Sequence, residues 1–173
     1  MREQEGIKRL LTLGETRLAH SVYGNLIFYG SVSIHCDSYL TFVLHLSRVA
    51  MTPNGELYFR LELYRSDYSN VPPDLQHLFI HEMAHVWQHQ KGMWVRTRGL
   101  FSWAVDYKYR LDRARLSDYG MEQQASIIAD YHYLKTYGEN DFFNLKDREL
   151  IGVIDKETLS KYKPIILSAG LPV

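Results

Sequence analysis

Apolar residues recur at helical spacing between Asp74 and Lys91. Leu75, Leu78, Phe79, Met83, Val86 and Trp87 mark broad apolar faces on one largely buried helix. Pro72-Pro73 suits its first turn, because a proline there lacks only an N–H that the helix start leaves unpaired. Gly92 suits its end. A second helix is predicted over residues 120 to 137, with Met121, Ala125, Ile128 and Ala129 apolar and Asp118 or Gly120 as cap. Ile7, Leu10, Leu11, Leu18 and Val22 predict a third over residues 6 to 23, interrupted at Gly14.

Strand-like spacing is weaker. Residues 26 to 34 alternate imperfectly, and residues 42 to 46 form a candidate second strand. Leu57, Phe59, Leu61 and Leu63 share one face of a strand predicted over residues 56 to 64. The turn before it, Thr52-Pro-Asn-Gly55, combines a fixed φ with residues that tolerate positive φ. Residues 66 to 73 read as a loop. Residues 92 to 117 read as irregular and place Trp94, Trp103, Tyr107 and Tyr109 on a cleft rim. After Asp141, one or two short helices are expected, clearest over residues 155 to 162. This order predicts one α+β domain over residues 1–173, a small sheet packed on two long helices.

The first helix carries His81-Glu82-Met83-Ala84-His85, an HExxH pattern. Two histidines four apart project from one helix face, close enough for both imidazoles to reach one metal ion. The intervening glutamate lies beside that metal, where it can take a proton from a bound water. Two imidazoles and a carboxylate suit Zn2+ better than magnesium or calcium, which prefer oxygen shells. The plain alternative, two surface histidines, sits poorly on a helix that is apolar on most sides.

A catalytic zinc site usually has three protein ligands. Glu122, in the first turn of the second helix, is the strongest candidate for the third, and this is the gluzincin arrangement. Its plain alternative is a carboxylate favoured by the helix dipole. His89 lies too far along the helix from His81 to share a metal, and Gln88 and Lys91 break the metzincin spacing. Asp130 is a candidate to orient a ligand histidine or a plain helix-face carboxylate. Ser126 and His132 are similar cases. His20, His35, His45 and His77 lack ligand spacing and read as structural or solvated.

The run Phe79-Ile-His-Glu-Met-Ala-His-Val-Trp-Gln-His-Gln90 resembles the metal helix of zinc metallopeptidase effectors related to the Rhs and VgrG proteins of type VI secretion systems. Thr52-Pro-Asn-Gly55 with Tyr58-Phe59, Ser117 through Ala125 with Ala129-Asp-Tyr131, and Leu13-Gly-Glu15 with Ala19 through Gly24 resemble further segments of that family. The resemblance covers roughly residues 10 to 138. It implies His81, His85 and Glu122 as zinc ligands and Glu82 as catalytic base, with no departure at those positions. It also implies a toxic effector acting on a protein or peptide substrate, with a spike component and a cognate immunity protein as partners. The chain would then be free-standing cargo or a domain cut from something longer.

Composition adds exclusions. Net charge is +0 with no basic run, which argues against electrostatic nucleic-acid binding. Hydrophobic content of 46% is ordinary for a globular chain, and no stretch reaches the length of a membrane span. The lone Cys36 excludes an internal disulfide. The start, Met-Arg-Glu-Gln-Glu-Gly, lacks an apolar signal-peptide core. Synthesis in the bacterial cytoplasm is expected, with export by a secretion machine to a target cell, its periplasm included. Thirteen Tyr residues suit core packing or a tyrosine-lined cleft.

The chemistry expected is attack of an activated water on a peptide bond, with Glu82 shuttling the proton. Tyr119, Tyr131 and His132 are candidate second electrophiles, and residues 56 to 64 could pair with an extended substrate. Two alternatives share the site: a zinc amidase acting on peptidoglycan, and a zinc-stabilised adaptor without turnover. An intact Glu82 weighs against the adaptor, which needs no base.

Overall fold

Two long helices form the centre of the computed structural model, which describes residues 6–37, 50–93 and 107–173. In chain order the elements are β1 (Ile7–Leu10), α1 (Leu13–Tyr23), β2 (Ser33–Cys36), β3 (Leu57–Phe59), α2 (Pro73–Gln90), α3 (Met121–Tyr137), α4 (Glu139–Asn144) and α5 (Thr158–Leu167). This is an α+β fold. The predicted strand at residues 42 to 46, and Trp94 and Trp103, lie outside the described residues.

Helix α2 begins with Pro73 at its first position, as the Pro-Pro pair suggests, and stops before Gly92. Its Phe79, Ile80, Met83, Ala84 and Val86 are fully buried. Helix α3 packs along α2 and buries Ala125, Ile127, Ile128 and Ala129. Gly120 caps α3, and its N–H donates to Gln123 Oε1 at 3.1 Å. Asp118 is not the cap; its carboxylate is taken by Arg115.

The sheet runs β1-β2-β3, with β1 antiparallel and β3 parallel to β2. Ile34 and Cys36 alternate with His35, as Leu57 and Phe59 do with Tyr58. The first set is fully buried against the helices. The second stacks His35 on Tyr58 outside, with ring centroids 4.2 Å apart. Phe59, Tyr68 and Phe79 continue the core toward α2, at centroid spacings of 4.6 and 5.3 Å.

Three expectations need correction. The helix expected over residues 6 to 23 is a strand followed by a helix. Thr12 and Glu15 form a reciprocal cap that starts α1 at Leu13, which frees residues 7 to 10 to pair with β2. Gly14 does not interrupt the helix. It lies in the first turn, so close to Ser69 that a Cβ would meet Ser69 Oγ at 2.1 Å. In place of the strand expected over residues 26 to 34, two short 3-10 turns, Gly24–Leu26 and Tyr29–Ser31, precede a strand that covers only Ser33–Cys36. The strand expected over residues 56 to 64 ends at Phe59. Beyond it Leu63 and Tyr64 donate back to the Arg60 carbonyl in a tight turn, which leaves Leu61 exposed.

Glu15 secures this region. Its fully buried carboxylate takes Arg9 Nη1 and Nη2, each at 2.8 Å, and the backbone N–H groups of Thr12 and Tyr68. A buried charge is tolerable only when paired and hydrogen-bonded this fully. No helix among the described residues is long and apolar enough to cross a membrane.

Candidate metal centre

Helical geometry does what the HExxH spacing requires. His81 and His85 project from one side of α2 toward the first turn of α3, where Glu122 stands. One ligand atom from each of His81, His85 and Glu122 lies within 4.8 Å of the other two. Glu122 Oε2 is 3.1 Å from His85 Nε2 and 3.4 Å from His81 Nε2. The donor set, two imidazole nitrogens and one carboxylate oxygen, fits a divalent metal of zinc type.

Burial opposes charge on both partners, and the pairing outweighs it. The Glu122 carboxylate pushes His85 up to about 9, and Glu82 and Gln88 add to the effect. His85 and His81 hold Glu122 well below the usual carboxylate range.

The orientation of His85 follows from its neighbours. Gln88 is fully buried, and its Nε2 donates to the Met121 carbonyl at 2.9 Å. A carbonyl only accepts, so the Gln88 oxygen must face His85, whose Nδ1–H donates to it at 2.9 Å. That leaves Nε2 turned to Glu122. Gln124 supports the arrangement, since its Oε1 lies 3.3 Å from Gln88 Nε2 while its own amide nitrogen donates to the Tyr119 carbonyl. Gln88 thus orients a candidate ligand and ties α2 to the start of α3.

Glu82 is buried, and Thr52 Oγ1 donates to its Oε2 at 2.8 Å. Thr52 opens the turn that ends at Gly55. Gly55 has φ +76°, and a Cβ there would meet His89 Cδ2 at 2.6 Å. The turn is therefore seated directly on α2. His89 is no part of the triad and serves as that seat.

Tyr107 forms a wall, its ring stacked near His81 with centroids 6.4 Å apart. Burial, then the Glu122 and Glu82 charges, push its phenol far above the ordinary range, so it stays protonated. Tyr119, Tyr131 and His132 are not brought to the triad. The Tyr119 hydroxyl donates to the Arg110 carbonyl and accepts from the Arg113 N–H. Tyr131 and His132 line a separate small cavity with Val22, Ile166 and Leu171. Burial lowers the His132 imidazole to about 4.

Asp130 orients a histidine, but not a ligand. Its Oδ1 accepts His77 Nε2 at 2.7 Å, and its Oδ2 accepts the Tyr109 hydroxyl at 2.6 Å. Tyr162 completes this buried group by donating to Tyr109. The Tyr109 backbone is also bonded to Glu149 and Ile151. The segment that carries Tyr107 is thereby fastened two residues away.

The β3 edge does not offer the free backbone expected for substrate pairing. Tyr58 exchanges both its N–H and its carbonyl with Met51, at 2.8 and 3.0 Å. Sequence reasoning also missed the roles of Gln88 and Thr52. Gln88, one turn after His85, had a spacing signal; Thr52 had none.

No family model matches the chain. It is 39% identical over 140 residues to the type VI secretion system spike protein VgrG2b of Pseudomonas aeruginosa, a match covering 76% of this chain. The chain spans only 14% of that protein's length. Among solved structures, the effector domain of Pseudomonas aeruginosa VgrG2b superposes with a TM-score of 0.67 at 35% identity, covering 86% of this chain and 87% of that one. On that near end-to-end match, the chain belongs to the VgrG2b effector-domain family of type VI secretion.

Proposed function

We propose that the chain is a zinc metallopeptidase of gluzincin type, delivered as a toxic effector by a type VI secretion system. The observation that carries this reading is the convergence of His81, His85 and Glu122 within 4.8 Å, with Glu82 between the two histidines in sequence. His81, His85 and Glu122 would hold the ion. Bound zinc supplies Lewis-acid polarisation and lowers the pKa of water toward about 7.

The chain's own groups do the rest. Glu82 takes the proton of the attacking water and returns it to the leaving amine. Gln88 keeps His85 in the tautomer whose Nε2 can ligate. Tyr107, held protonated, is a neutral hydrogen-bond donor on the site wall. The substrate is a protein or peptide of the target cell, with the spike as carrier and an immunity protein as the producer's protection. Similarity to a spike protein supports the carrier.

Two measurements test this. Plasma mass spectrometry should find one zinc per wild-type chain and far less in Glu122→Ala. Directed to the bacterial periplasm, wild type should kill while Glu82→Ala, still zinc-loaded, should not. A well-folded wild type that takes up no zinc would refute the metal centre; equal killing by Glu82→Ala would refute catalysis.

A further inference from the structure

We infer that Thr52 is a positioning residue for catalysis and that the turn from Thr52 to Gly55 holds the general base. This rests on the reading of Glu82 as that base. Thr52 lies on a different part of the chain from α2, yet its buried hydroxyl is 2.8 Å from Glu82 Oε2 and 3.4 Å from the Glu82 carbonyl oxygen. A glutamate side chain has three rotatable bonds, so a helix alone does not fix where its carboxylate points. The Thr52 hydroxyl removes that freedom. It engages one oxygen and leaves the other to take the proton of the attacking water.

The placement of the hydroxyl is itself built in. Gly55, at φ +76°, allows the turn to lie against the His89 ring with no room for a Cβ. Met51, just before the turn, exchanges two backbone hydrogen bonds with Tyr58 of β3. The turn is thus pinned by the sheet on one side and by the end of α2 on the other. Two features without a place in the metal chemistry, the Thr-Pro-Asn-Gly run and His89, acquire one here.

The test uses zinc-loaded full chain and a library of proteome-derived peptides, with cleavage read by mass spectrometry. The best-cleaved peptide then gives kcat and KM. Thr52→Val keeps the shape and deletes the hydroxyl. It should lower kcat by about 10- to 100-fold with KM, zinc content and melting temperature near wild type. Thr52→Ser, which retains the hydroxyl, should restore most of the rate. Thr52→Ala serves as a second hydroxyl-free variant if Val crowds the turn. Hydroxyl-free variants with wild-type kcat, or a kcat loss matched by loss of zinc or of the fold, would overturn the proposal. No cleavage by wild type above Glu82→Ala would instead overturn the peptidase reading, and this proposal with it.

Discussion

Replacing Gln88 by Met removes the polar groups while nearly preserving length and volume. In the native chain Gln88 accepts the His85 Nδ1–H at 2.9 Å and donates to the Met121 carbonyl at 2.9 Å. Both contacts are buried, and Gln124 Oε1 loses the same donor at 3.3 Å, so three polar groups lose a partner. Each buried group left unsatisfied costs about 1–3 kcal/mol, so the loss of unfolding free energy is expected to be at least that of one such group. The effect on zinc is separate. Without the acceptor, His85 is free to rotate or to present the wrong nitrogen, and such losses weaken metal binding by about 10- to 100-fold, or about 1.4–2.7 kcal/mol. Chelator competition gives the zinc affinity, and urea unfolding of the metal-free protein gives the stability term. Gln88→Glu, which keeps an acceptor, should retain most of the affinity. A folded Gln88→Met chain that binds zinc within about twofold of wild type would refute the argument.

Two further outcomes follow from the geometry. Gly55→Ala forces a left-handed backbone on alanine and drives its Cβ to 2.6 Å from the His89 ring, so a loss of at least about 1–2 kcal/mol is expected. Denaturant unfolding of Gly55→Ala in the His89→Ala background should recover the steric part; strict additivity of the two changes would show that the ring is not the obstacle. For metal-free protein, the His85 pKa is raised to about 9 in the folded state, so its contribution is complete below about 6.5 and is lost as pH rises through about 9. Melting temperature measured from pH 6 to 10 should fall across that window in wild type and much less in Glu122→Ala; equal slopes would exclude the His85–Glu122 pair as the source.

The two helices that carry the candidate triad were legible because their signals are local. HExxH spacing, the Pro-Pro start and the apolar positions of α2 lie within one helix, and Glu122 stands in the first turn of another periodic run. The N-terminal strand was not, since Ile7, Leu10 and Leu11 fit helical spacing equally well; the decisive sign was the Thr12–Glu15 cap, which starts a helix only after them. Leu61 and Leu63 extended an alternation that the turn at Arg60 breaks. The groups that aim the site were hidden for a different reason. Thr52 and Glu82, or Gln88 and Met121, meet only through tertiary packing, and no sequence period links them. Asp130 was visible as a candidate partner for a histidine, but which histidine depended on the helix packing that brings it to His77.

The backbone exchange between Met51 and Tyr58 also bears on how copies of the chain behave together. An open strand edge is a template on which extended segments of other molecules can polymerise. At β3 that template is closed at Tyr58 by the chain itself. The opposite margin among the described residues, β1, is short and carries the exposed Lys8, a charge of the kind that discourages edge-to-edge growth. At high concentration, association of copies through this sheet should therefore be disfavoured.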